Sequence, residues 1–298
     1  MPFEITIRQT GLFRRRLEID DLTAGILKAG SQDRFLRFSS LVPDEGFVIL
    51  YDPRLTGTGI RVRWAQNERD EICLQLPGLT TPHEIALITM IAGAIMKKWH
   101  AKTFILDNQE FTRKDLEEAR TLMLEKTKHN LAEASENYTD GVTLVHGALW
   151  PLTIETGKLR AFAAEDNPEG FEQLLHDLQK KDYYWCSCHV YLSDDGKGYQ
   201  GVYTVTAGVD TIIPKEPFPP VGMIDPATGD AIQCGRYFAR CVTQHSRRTF
   251  LQTDYRKFLQ MIRSEKLETY DACHVIIPSE MKEELMALEG YDNTEGQI

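Results

Sequence analysis

The sequence predicts an α+β fold, with mainly antiparallel sheets packed against amphipathic helices in two halves, each with its own layer. Three observations carry this expectation. Short alternating runs of apolar and polar residues recur along the chain, as strands with one buried face require. Helical periodicities are mixed among them without the regular βαβ rhythm of a parallel sheet. The composition, 42% hydrophobic and 26% charged, is that of a globular protein and well outside the range of disorder.

The chain opens with a strand at Phe3–Arg8, a turn at Gly11 and a second strand near Phe13–Ile19. A short helix is expected at about Leu22–Lys28, stopped by Gly30. Phe47–Tyr51, Ile60–Trp64 and Ile72–Leu76 read as strands, the first two separated by the turn-rich DPRLTGTG. Thr81-Pro82-His83-Glu84 then supplies a capping threonine, proline at the first helical position and glutamate three residues after the cap. A helix therefore starts there and runs to about Trp99. Its middle shows no polar stripe, so it should be covered nearly all round. Phe104–Leu106 is a short strand, and Thr112 caps a second long helix to about Glu136. The polar segment Glu136–Gly141 reads as a boundary. It separates an N-terminal α+β domain, residues 1–140, with the buried helix near 82–99, from a C-terminal α+β domain, residues 141–298.

In the second half, Val142–Leu144 and Leu159–Phe162 suggest strands. Phe171, Leu174, Leu175 and Leu178 repeat at the spacing of one helix face after Pro168. A hairpin spans Tyr183–Thr206 around SDDGKG, followed by an irregular stretch rich in Pro and Gly. Tyr255, Phe258, Leu259 and Ile262 mark another amphipathic helix, and Cys273–Ile277 a buried strand. Ser279 caps a last helix through about Leu288, and the tail GYDNTEGQI frays.

Charge narrows the partners. The 298 residues carry 34 Lys and Arg against 44 Asp and Glu, a net charge of −10. Residues 1–140 hold 19 against 21, and residues 141–298 hold 15 against 23, so −8 of the charge lies in the second half. Such a surface repels phosphate backbones, which argues against nucleic acid as a partner. Arg14–Arg16 is the one basic cluster, and Glu18, Asp20 and Asp21 beside it make it a solvated face. The uncharged run Ile85–Met96 has 12 residues, short of the roughly 20 needed to cross a bilayer, so no membrane association is expected. MPFEITIRQ lacks the layout of a signal peptide, and the six cysteines lack the framework of a secreted domain. A cytoplasmic protein with reduced cysteines is the expectation.

Catalytic and metal signatures are weak. Cys186-Ser-Cys188-His189 has C-x-C spacing, whereas zinc sites use C-x₂₋₄-C and a second matched pair. Cys241, His245, Cys273 and His274 would contribute only if folding gathers them, and buried cysteine is the ordinary outcome. No metal and no cofactor is implied. Cys188 and His189 face opposite sides of a strand, so the imidazole cannot activate that thiol. Asp194/Asp195 and Asp225/Asp230 sit in turns, where Asp bonds the backbone. Thr56-Gly57-Thr58-Gly59 lacks the Lys-Ser/Thr of a phosphate loop and precedes a strand. No catalytic residue is named.

The hairpin is the most informative segment. Alternation places Tyr184, Cys186, Cys188, Val190 and Leu192 on one side, and Tyr183, Trp185, Ser187, His189 and Tyr191 on the other. If Tyr199 and Tyr203 of the return strand align with Trp185, His189 and Tyr191, five aromatic rings share a surface. Those five residues are the candidate ligand or partner site, because aromatic residues dominate interface energetics. The competing use of the face is cover for a helix, such as that through Phe171–Leu178.

The opening FEITIRQTGLFRRRLEIDDL, with the later GYQGVYTVT, resembles an uncharacterised bacterial family of roughly this length, a domain of unknown function. The resemblance spans most of the chain and implies a bacterial cytoplasmic protein. It carries no activity or site residue with it.

Together these readings favour a non-enzymatic binding or interaction protein whose partner is another protein. One version is an accessory or immunity-type protein that masks a basic partner with its acidic second half. The alternative is an enzyme, hydrolase-like, with a site between the halves that draws on His189, His245 or a cysteine.

Overall fold

A computed structural model describes residues 2–10, 14–65, 70–136, 141–193, 196, 198–220, 222–226, 228–244 and 247–288. Among them are 17 strands and seven α-helices, with mostly antiparallel pairing, so the fold is α+β. Gly11, Phe13, Asp194, Asp195, His245, the core of the expected boundary at 137–140 and the tail 290–298 lie outside the described residues.

Contacts divide the chain into two compact units, residues 1–181 and 182–298. The first contains β1 (Phe3–Arg8), α1 (Ile19–Thr23), β2 (Lys28–Gln32), β3 (Phe38–Ser39), β4 (Glu45–Tyr51), β5 (Ile60–Ala65) and β6 (Glu71–Leu76). It continues with α2 (Pro82–Trp99), β7 (Thr103–Leu106), β8 (Gln109–Thr112), α3 (Leu116–Glu136), β9 (Val142–His146), β10 (Pro151–Glu155), α4 (Thr156–Ala164) and α5 (Pro168–Gln179). The expected division after residue 140 would detach β9, β10, α4 and α5 from this unit. They stay with it because α3 packs along α4 and α2 meets α5.

Eight strands form one antiparallel sheet in the order β3-β2-β4-β5-β6-β1-β7-β8. Strand alternation buries Ile5, Val48, Val62 and Leu74 on one face, where α2 covers them with Ile85, Ile88, Ile91 and Ile95. The capping box is formed as its residues require. Glu84 N donates to the Thr81 hydroxyl at 3.2 Å, and Thr81 N donates to the Glu84 carboxylate at 3.2 Å. Isoleucine and leucine line this helix on most sides, as the missing polar stripe predicts.

Three expectations fail here for local reasons. The short helix expected at Leu22–Lys28 instead spans Ile19–Thr23 and ends where Ala24 turns left-handed, and Lys28 and Gly30 belong to β2. Residues 14–18 are not a strand. Arg15 is instead held by the Gln9 side chain, through Arg15 N to Oε1 at 2.7 Å and Nε2 to Arg15 O at 3.0 Å, and Glu18 opens α1. Leu159–Phe162 is helical within α4, where the alanines that follow favour helix and only Leu159 is fully buried.

The second unit contains β11 (Tyr184–Trp185), β12 (Cys188–Leu192), β13 (Tyr199–Thr206), β14 (Thr211–Pro214), β15 (Cys234–Val242) and β16 (Thr249–Asp254). α6 (Tyr255–Met261), β17 (His274–Ile277) and α7 (Ser279–Leu288) complete it. Its strands form a three-stranded sheet, β11-β14-β17, and a four-stranded sheet, β12-β13-β15-β16. Two pairings are parallel, β11 with β14 and β13 with β15. Cys186, Cys188, Tyr203, Val205, Cys241, Phe258 and Ile277 share its core. Among the described residues no helix is long and apolar enough to cross a membrane.

Candidate functional site

The expected hairpin is divided between two sheets. Tyr184–Trp185 runs parallel to Thr211–Ile212, whereas Cys188–Leu192 pairs antiparallel with Tyr199–Tyr203. Cys186 and Ser187 bridge the change and are buried.

This division sends the five candidate residues to different surroundings. Trp185 is buried, with its ring centroid 4.5 Å from His274 and 6.5 Å from Tyr270. His274 in turn holds Asp271 Oδ1 through Nδ1 at 2.7 Å, and both are buried. Trp185 is therefore a packing residue in a cluster of aromatic and imidazole rings. Tyr203 is buried too. Its hydroxyl donates to Phe218 O at 2.8 Å and accepts from Phe218 N at 3.1 Å, and its ring lies 4.7 Å from Tyr255. Burial raises the Tyr203 phenol far above its ordinary value, so it stays neutral.

Register explains why Tyr199 and Tyr203 do not join the other rings. Directly opposed residues share a face, and Cys188 opposes Tyr203 while Leu192 opposes Tyr199. Both tyrosines thus lie on the thiol side, and five rings on one surface do not form. The other face carries His189 level with Val202 and Phe238, and Tyr191 level with Gln200 and Arg236. Arg240 stands on it beside Thr204 and donates Nε to Gln252 at 3.0 Å. Tyr191 is 47% exposed and Arg236 is exposed, with His189, Gln200, Phe238 and Arg240 half-buried. Phe238 and the two arginines give no local signal of their place, because their strand joins this face by a parallel, non-local pairing.

Thiol chemistry is unfavourable at four of the cysteines. Burial pushes Cys188 and Cys241 up to about 12 and Cys73 up to about 11, and it also raises Cys234. A nucleophilic thiolate needs the opposite shift. Cys186 and Cys188 sit in the core, and among the described residues no group of three or more His, Cys, Asp or Glu is arranged to hold a metal. Asp225 and Asp230 bond through their backbones across a turn, Asp225 N to Asp230 O at 2.8 Å.

The glycine-rich turn at 56–59 already holds a carboxyl group of the chain's own. The Thr58 hydroxyl, Gly59 N, the Thr80 hydroxyl and Thr81 N all donate to the buried Glu84 carboxylate. A Cβ on Gly57 would stand 2.7 Å from Glu84 Cδ, so any larger residue there would have to displace that carboxyl from its donors. Just before it, buried Asp52 receives Arg54 through two hydrogen bonds, at 3.0 and 2.7 Å, with His83 Nε2 at 3.1 Å. Arg54 and His83 hold the Asp52 carboxyl well below the usual carboxylate range.

A family model described as a domain of unknown function (DUF4299) matches residues 3–288. The chain belongs to this family. No curated protein and no solved structure gives a match. The expected membership of a domain-of-unknown-function family spanning most of the chain is thus shown, and the geometry above describes one member of DUF4299.

Proposed function

We propose that this member of DUF4299 is a non-enzymatic interaction protein of the cytoplasm, of the accessory or immunity type. Its contact surface is the face of the four-stranded sheet that carries His189, Tyr191 and Phe238. The observation that supports this reading is the row-by-row register of those rings with Arg236 across three strands. Aromatic residues and arginine are the side chains most enriched in interface anchors. Among the described residues the six cysteines form no disulfide, which fits a reducing compartment. The net charge of the second half points to a basic partner, but Arg236 and Arg240 flank the rings themselves. The contacting segment of the partner is therefore acidic.

The test places a photo-reactive residue at Tyr191 in cells that make the protein natively. One discrete protein adduct that disappears with Arg236→Glu supports the reading. An adduct indifferent to that reversal, or none at all, overturns it.

A second reading, a hydrolase-like enzyme, draws on the pair Asp52 and His83. A buried carboxylate behind a partly exposed imidazole is how a general base is oriented. Ester hydrolysis by the purified protein that His83→Gln abolishes would favour it. Arg54 gives the same carboxylate a purely structural purpose, which is why the interaction reading stands first.

A further inference from the structure

We infer that the open face of the eight-stranded sheet holds a binding site for a small organic carboxylate, with Arg61 as its anchor. The inference is independent of the contact surface above, because it rests on other residues in the first unit.

β5 reads Ile-Arg-Val-Arg-Trp-Ala, so Arg61 and Arg63 project from the face that α2 leaves uncovered. Register aligns Ile49, Arg61 and Gln75 in one row and Phe47, Arg63 and Cys73 in the next. Over the first row lies an open cavity of about 210 Å³ lined by Gln32, Asp33, Leu36, Phe47, Ile49, Arg61 and Gln75. Its lining divides by chemistry. Leu36, Phe47 and Ile49 are apolar, and Gln32 and Gln75 carry neutral amides.

The two charges in the wall are not equivalent. Asp33 is fully answered: Oδ1 accepts Phe35 N at 2.8 Å and Arg37 N at 3.0 Å, and Oδ2 accepts the Arg37 guanidinium at 3.0 and 2.8 Å. Arg61 makes no hydrogen bond or ion pair with any described residue. It is half-buried, and desolvation lowers its pKa. Its charge acts instead on His146, whose imidazole is lowered by burial and by Arg61 and whose buried Nδ1 has no hydrogen-bond partner among the described residues. A guanidinium partly removed from water, with no carboxylate bonded to it among the described residues, is a cation in a concave wall where an anion can dock.

A carboxylate supplies what that wall lacks. It matches the planar fork of a guanidinium through two parallel hydrogen bonds. The apolar side of the cavity takes a short hydrocarbon body, and the volume is below the roughly 300 Å³ at which drug-sized pockets begin. Asp33 in the same wall disfavours a multiply charged anion, so phosphate is the weaker fit.

The probes are isocaproate and benzoate, with isocaproamide as the uncharged isostere and inorganic phosphate as the competing anion. Saturable stabilisation of the wild-type chain by isocaproate or benzoate is expected in thermal unfolding, and none by the amide. Arg61→Met should weaken that binding by about tenfold or more, Arg61→Lys should retain part of it, and Arg63→Met should leave it nearly unchanged. Nuclear magnetic resonance of the His146 imidazole gives a second readout, because an anion on Arg61 cancels the charge that depresses it. Its pKa should rise on adding isocaproate. Equal binding to Arg61→Met, equal or tighter binding of phosphate, or no stabilisation by either carboxylate overturns the assignment.

Discussion

The Glu84 carboxylate accepts the hydroxyl of Thr58 at 2.8 Å, and so ties the turn before β5 to the first turn of α2. The other donors reach the same two oxygens from Gly59 N, the Thr80 hydroxyl and Thr81 N. One side chain therefore caps its own helix and closes a glycine turn 26 residues earlier.

Replacing Glu84 by Gln leaves a single carbonyl oxygen for donors that now use two. An amide NH₂ must then face either Gly59 N or Thr81 N, both buried donors. The expected loss is about 1–3 kcal/mol in urea unfolding at neutral pH. Burial raises the Glu84 pKa in the fold despite its donors. A folded value above the unfolded one gives stability that is complete below the unfolded pKa and is lost as pH rises through the folded pKa. The difference between the wild type and Glu84→Gln should accordingly shrink as pH rises above about 4.5. A difference that grows with pH would show the carboxylate to be the favoured form.

Lys282 shows the reverse sign. It is fully buried in α7, and its Nζ donates to Val209 O and to the Thr211 hydroxyl, the latter at 2.7 Å. Desolvation pushes its pKa down to about 8 from 10.5. Folding therefore penalises the ammonium, and the penalty is present below pH 8 and relieved as pH climbs to 10.5. The stability of the wild type relative to Lys282→Met should rise by roughly 3 kcal/mol over that window. Comparing the two chains cancels the buried thiols and phenols that titrate nearby. A flat difference would mean that the amine is already neutral, or still hydrated, at pH 8.

How far the sequence speaks depends on how local the physics is. Thr81 and Glu84 are three residues apart, and their mutual hydrogen bonds make the start of α2 legible in the residue order alone. The face of α5 that buries Phe171 and Leu175 is equally local. Leu159 misleads because its short apolar stretch fits either period, and the alanines after it decide for helix. Tyr203 and Phe238 mark the limit. Which face of the sheet each occupies follows from a register of non-local partners, Cys188 for the first and Val202 for the second. The alternating Arg61 and Arg63 are legible as a strand, but that Arg61 has no ion-pair partner among the described residues emerges only when the neighbouring strands are in place.

The division of the candidate rings gives a direct mutational contrast. Trp185→Ala removes a buried indole packed against His274, and should cost about 3–5 kcal/mol. Tyr203→Phe keeps the ring but strips both bonds to Phe218, and should cost about 1–3 kcal/mol. Tyr191→Ala, on an exposed ring, should change stability by no more than about 0.5 kcal/mol. Partner capture should fall in the opposite order, with Tyr191→Ala the most damaging among variants that remain folded. Wild-type capture by Tyr191→Ala would detach the proposed surface from binding.

The boundary between units is open to the same treatment. Phe171 and Leu175 on α5 and Leu159 on α4 are buried within residues 1–181. A fragment of residues 141–298 would carry these side chains without α2 and α3 to cover them. It should bind a hydrophobic dye and aggregate on heating. A fragment of residues 182–288 keeps the core of Tyr203, Val205, Phe258 and Ile277 with its own helices, and should unfold cooperatively by itself. The ordering of the two fragments decides the matter, because both contain the same second core. If the longer piece were the better behaved, β9 through α5 would belong to the second unit, and the division expected after residue 140 would stand.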